Sequence, residues 1–140
     1  MTYSVYQVDA FTTSIFKGNP ACVVPLDKWL EDEILLNIAK ENAVPETAFF
    51  VQDKDTIHLR WFTPDLEMDL CGHATLATAH VIKKHLQNPE SNLIFMTLSG
   101  KVSVNVEKDY YFLNFPSRMP VKAELPLSLE KWITGNPLLR

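Results

Sequence analysis

The sequence predicts an α+β domain in which a curled antiparallel sheet wraps a central apolar helix. Three observations lead there. The segment "GHATLATAHVIKKHL" (72–86) is apolar around most of its circumference, so as a helix it belongs inside a fold. Segments that alternate with period two, and so suit half-buried strands, stand on both sides of it. The chain has 140 residues, the size of one ordinary domain, and can bury roughly 68–70% of the surface its unfolded form exposes.

Element by element, "YSVYQVDAF" (3–11) alternates and is rich in Val and Tyr, which favours a first strand. Gly18-Asn19-Pro20 reads as a turn before a short strand, Ala21 to Val24. "DKWLEDEILLNIAKENAV" (27–44) reads as a helix capped by Asp27, with Glu31, Asp32 and Glu33 near the positive end of its dipole. Its buried stripe is Leu30, Ile34 and Ile38, or Leu35 and Ile38. Pro45 ends it, because the residue before a proline is pushed out of the helical region. "ETAFFVQ" (46–52) and "TIHLRWFTP" (56–64) read as strands, the second with Ile57, Leu59 and Trp61 on one face. The 72–86 helix closes on Lys83, Lys84 and His85, which suit its negative end. Inside it, Thr75 and Thr78 can satisfy their hydroxyls on carbonyls one turn back. A hairpin about Ser99-Gly100 (92–108) and a strand "YYFLNFP" (110–116) follow. Residues 1–117 therefore form one lobe. Residues 118–140, rich in proline and carrying one short helical stretch, "LSLEKWITG", read as a connection.

Composition limits the function classes. A formal charge of −4, with no run of Lys or Arg, argues against a nucleic-acid surface. No apolar run reaches the ~18 residues of a membrane span, and the N-terminus lacks the basic and apolar regions of a signal peptide. A cytoplasmic domain is the expectation. Cys22 and Cys71 are the only cysteines and form no Cys-x-x-Cys pair, so neither a disulfide framework nor a zinc ribbon is indicated. No metal site is expected from the histidines. His73 and His80 lie about 10.5 Å apart along a helix, too far for one ion with bonds of ~2.0–2.1 Å. Asp69 and His73 are better spaced, but two ligands do not make a site. His58 and His85 read as solvated or structural.

The chemistry gathers where the apolar helix begins, in "MDLCGH" (68–73). The first turn of a helix has free N–H groups and a partial positive charge, so it receives carboxylates. Gly72 lets a ligand approach the backbone there. His73 can hydrogen-bond or shuttle a proton near neutral pH, and the dipole would make a Cys71 thiol more acidic. Each residue also has a purely structural role open to it: Asp69 can cap, Cys71 can pack, and Gly72 can relieve crowding.

The stretches "VDAFTTSIFKGNPACVV", "ENAVPETAFF" and "RWFTPDLEMDLCGHATLATAHVI" together resemble the three N-terminal signatures of the PhzF-like, or phenazine biosynthesis-like, family. The likeness runs in order from about residue 5 to 115. It implies a relative of diaminopimelate epimerase and proline racemase, with two pseudo-symmetric lobes and the active site between them. It further implies Glu46 as general acid/base, with Gly72 and His73 as the substrate-binding turn and Gly18 and Asn19 lining the pocket. Cys71 falls where the epimerase relatives have a catalytic base, and is carried over only as a substrate-binding position. The reaction so implied is a cofactor-independent isomerisation or epimerisation of a small carboxylate. The sequence agrees in offering no Gly-rich phosphate cradle and no lysine in a Schiff-base context.

Family members are about twice this length, so the chain is a fragment, a truncated product, or a half-length protein that pairs with a copy of itself. A homodimer or a second lobe is therefore the expected partner. Two other functions remain open. One is a non-catalytic binding or oligomerisation half-domain. The other makes Cys71 a redox or nucleophilic centre, for which Cys22 is the only other thiol.

Overall fold

A computed structural model describes residues 2–53, 56–124, 126 and 129. The elements are β1 (Tyr6–Ala10), β2 (Asn19–Leu26), α1 (Asp32–Asn42), β3 (Glu46–Asp53), β4 (Thr56–Phe62), β5 (Glu67–Met68), α2 (Gly72–His80), β6 (Asn92–Thr97), β7 (Gly100–Glu107) and β8 (Tyr110–Asn114). The strands join into one eight-stranded sheet in the order β1-β2-β3-β4-β6-β7-β8, with β5 beside β4. This is the α+β class expected, a curled sheet with α2 buried inside it.

One feature of the sheet corrects the expectation. It is mixed, because β2 pairs with β3 and β4 pairs with β6 in parallel. The physical reason is connectivity. Parallel neighbours need a crossover long enough to return the chain to the starting end. The chain uses α1 for the first crossover and α2 for the second. The remaining pairs are antiparallel, including the β6–β7 hairpin, where Thr97 faces Gly100 across Leu98 and Ser99.

The two helices occupy opposite faces. Alternate residues of β2, Ala21 and Val23, join Ala48, Phe50, Leu59 and Trp61 in a core with Ala74, Ala77 and Ala79 of α2. Val24 and Leu26 turn the other way, to Phe49, Phe62, Leu35 and Ala39 under α1. Strands covered on both faces read as continuous apolar runs, as "ACVV" and "TAFF" do. Pro20 precedes the β3 pairing and Pro25 lies beyond the β1 pairing, so each sits where β2 has one neighbour only.

Local differences have local causes. Because β2 runs to Leu26, residues 27–31 turn the chain away from the sheet. α1 then starts at Asp32 behind an extended Glu31, rather than at an Asp27 cap. Leu35 and Ala39 are its buried stripe, and Ile34 is exposed. The helix stops at Ala43, in the left-handed region at φ 52°, two residues before Pro45. α2 continues into one π-helical turn, Val81–His85, where Leu86 N–H reaches the Val81 carbonyl at 3.1 Å. Arg60 joins α1, β4 and β5, none of which would reveal the link from spacing alone. It donates two hydrogen bonds of 2.7 Å to Glu67, meets Asp32 at 2.9 Å, and packs over Trp29 and Phe62. The stretch "LSLEKWITG" lies, apart from Leu129, outside the described residues.

Candidate active site

The site follows from strand direction. Parallel pairing sets the starts of β2 and β3 at one end of the sheet, with Ala21 beside Glu46. β1 is antiparallel to β2 and ends there, with Ala10 beside Asn19. The first turn of α2 opens at the same end. There the rings of Phe11 and His73 have centroids 6.5 Å apart, and Phe115, just beyond β8, lies over Gly72.

Three side chains meet at that mouth. Glu46 Oε2 stands 3.1 Å from His73 Nε2, with the glutamate side chain 17% exposed and the histidine 8%. The approach is close but oblique, so both atoms are buried without a well-directed hydrogen bond. On the other side of the ring, His73 Nδ1 is 3.4 Å from Cys71 Sγ. A protonated thiol donates to Nδ1, and the ring's own proton then sits on Nε2, facing Glu46. The imidazole thus stands between the carboxylate and the thiol, one ring nitrogen facing each.

The cysteine corrects one expectation. Burial pushes its thiol up to about 11, and the negative Glu46 adds to the rise. The backbone amides of Ala74 and His73 pull the other way without overcoming it. The helix dipole is thus outweighed by desolvation, and Cys71 is a neutral thiol near pH 7. Cys22 is also buried, free and pushed up. A nucleophilic or redox role for Cys71 would need a base to remove the thiol proton first.

The glycines and their neighbours divide by role. Gly18 has φ +94°, and a Cβ there would collide with the Ala10 carbonyl oxygen and stand 2.6 Å from Thr12 Cγ2. Its identity is fixed by the turn that brings β1 and β2 together. Asn19 follows as the first residue of β2. At Gly72 a Cβ would meet Phe115 Cε2 at 3.2 Å and Leu113 Cδ2 at 3.7 Å. The missing side chain therefore admits Phe115, and packing accounts for this glycine before any ligand does. Asp69 does not cap α2. Cys71 holds the N-cap position, without a side-chain cap, and Asp69 pairs with Arg118 at 2.7 Å. Thr75 and Thr78 bond the Cys71 and Ala74 carbonyls at 2.5 and 2.7 Å, as the sequence suggested. The aromatic rim of Phe11 and Phe115 carried no signal in spacing, since each reads as an ordinary strand-end residue.

The pattern described as phenazine biosynthesis-like protein, PhzC-PhzF, matches residues 8–125. The chain belongs to this family. It is 50% identical over 126 residues to an uncharacterized isomerase of Pseudomonas aeruginosa, an overlap that covers 90% of this chain and 49% of the relative. Among solved structures, a PhzF-family phenazine biosynthesis protein from Enterococcus faecalis superposes with a TM-score of 0.83 at 46% identity. That match covers 93% of this chain and 50% of the other. A predicted epimerase from P. aeruginosa shares the fold, with a TM-score of 0.68 at 21% identity over 77% of this chain and 40% of the other. The chain spans about half the length of these PhzF-like relatives. No helix among the described residues is long and apolar enough to cross a membrane.

Proposed function

We propose that this chain provides one half of a PhzF-like isomerase that moves a proton on a small carboxylate substrate without a cofactor. The observation that carries the reading is the Glu46–His73 contact of 3.1 Å at the mouth of α2. A carboxylate placed there can take a proton from carbon, and the adjacent imidazole can hold or return one. The free amides of the first turn of α2 suit the substrate's own carboxylate and the charge that develops beside it. Cys71, as a neutral thiol, fixes the ring through Nδ1 and lines the pocket rather than attacking. Gly18, Asn19 and Gly72 shape the backbone on which these groups stand.

Replacing Glu46 with Gln keeps the shape and removes the base. Turnover of an active preparation should fall at least ~100-fold, the lower range for general acid–base catalysis, with an unchanged circular dichroism spectrum. Full turnover in Glu46→Gln would reduce this residue to a structural role.

A second reading, a half-domain that acts through association, rests on a separate observation. Phe11, Ile15 and Phe16 are strongly exposed, Phe16 at 95%, and Phe11 adjoins His73. We propose that a second lobe or a second copy of the chain covers this rim. The two readings are compatible, because a covering partner also excludes water from the site.

A further inference from the structure

Glu46, Cys71 and His73 each present one donor atom, and the three atoms lie within 4.8 Å of one another. The spacing of the histidines in the sequence could not reveal this group, because its third member comes from β3. Carboxylate oxygen, thiolate sulfur and imidazole nitrogen are all ligands that zinc accepts. A second observation points to a ligand. His73 is more than nine-tenths buried, and its Nε2 and Glu46 Oε2, though 3.1 Å from one another, make no well-directed hydrogen bond. Buried polar atoms of this kind are uncommon in folded proteins.

We propose that the mouth of α2 binds a zinc-like divalent cation through Cys71 Sγ, one ring nitrogen of His73 and one carboxylate oxygen of Glu46. Bonds of ~2.3 Å to sulfur and ~2.0–2.1 Å to nitrogen and oxygen put tetrahedral neighbours about 3.3–3.6 Å apart. Cys71 Sγ and His73 Nδ1 already stand 3.4 Å apart. Glu46 faces the other ring nitrogen, Nε2, at 3.1 Å, so its carboxylate must turn towards Nδ1 by side-chain rotation to join the same ion. On binding, the ion exchanges water ligands for the three side chains. The Cys71 S–H bond breaks, a sulfur–metal bond forms, and the proton leaves to solvent, with no change of oxidation state. One position on the metal stays open to water or a carboxylate. Bound metal would occupy Glu46, so inhibition rests on the proposed function, whereas binding does not.

The test uses the full chain, with Zn2+ alone in calorimetry and Co2+ as the spectroscopic probe. The expected result is one equivalent of zinc and a thiolate-to-cobalt charge-transfer band. In Cys71→Ser the band disappears and zinc binds at least tenfold more weakly, while Cys22→Ser keeps both. Circular dichroism checks that the variants are folded, and the wild-type titration decides without them. No stoichiometric zinc, no band in the wild type, a band that survives Cys71→Ser, or a weakening below tenfold would each overturn the proposal. Because no substrate is involved, failure here leaves the isomerase reading standing, and zinc binding without turnover leaves this one standing.

Discussion

At Cys71 burial and a helix N-terminus act in opposite directions, and burial wins. The folded state holds the thiol proton more tightly than the unfolded chain, whose thiol titrates near 9.0, against about 11 when folded. A group with a raised folded pKa contributes its stability below the unfolded value and loses it as pH rises towards the folded one. The loss therefore falls between pH 9 and 11, and reaches at most about 2–3 kcal/mol at ~1.4 kcal/mol per pKa unit. Burial also raises Cys22 and Tyr111, which add losses of the same sign. The comparison must then be with Cys71→Ala. Urea unfolding at pH 8 and pH 11 should show the wild type losing stability relative to that variant, and parallel curves would contradict the assignment. Glu46, Gly72 and His73 are candidates through the family resemblance carried by "ETAFF" and "CGHAT". That they face one another follows from that resemblance, whereas the 3.1 Å contact between Glu46 and His73 depends on sheet register, which no spacing shows. Nor does any spacing show the sign of the Cys71 shift, since the dipole is visible in a sequence and the depth of burial is not.

The elements were legible where one face is apolar and the other polar, as in β4 and the β6–β7 hairpin. They were less so where the chain changes direction. The start of α1 was placed too early because its acidic first turn follows a strand that runs longer than its apolar run suggests. The parallel pairs were missed because period-two alternation is the same in either orientation, and only the intervening helices distinguish them. The two-residue β5 is too short to show any period, yet it supplies Glu67 to Arg60. Arg60 ties three elements through charge-assisted hydrogen bonds and two ring faces. Arg60→Met keeps much of the stem packing and removes the fork. It should cost about 1–3 kcal/mol, the range for hydrogen bonds to partly screened charged groups. Denaturant unfolding measures this, and a loss below the error of the method would show that solvent replaces the fork.

The described residues form an eight-stranded sheet with Glu46, Cys71 and His73 gathered at one end and exposed apolar side chains beside them. Soluble proteins rarely leave such a patch uncovered. Two copies can cover each other about a two-fold axis, as true symmetry can imitate paired lobes. Light scattering on the full 140-residue chain should report a dimer at micromolar concentration, and a stable, folded monomer would remove the proposed partner. The architecture was readable from one apolar helix set among strands. The exposed rim was not, because Phe11, Ile15 and Phe16 lie beyond β1 in a loop without periodicity. The central claim is that Glu46 moves a proton to and from carbon, and solvent exchange tests it most directly. An active preparation is incubated in deuterium oxide with small carboxylates bearing an acidic carbon–hydrogen bond, and label is followed by mass spectrometry. The account predicts deuterium on carbon with wild type and its loss, by at least ~100-fold in rate, with Glu46→Gln. Incorporation at the wild-type rate in Glu46→Gln would contradict it.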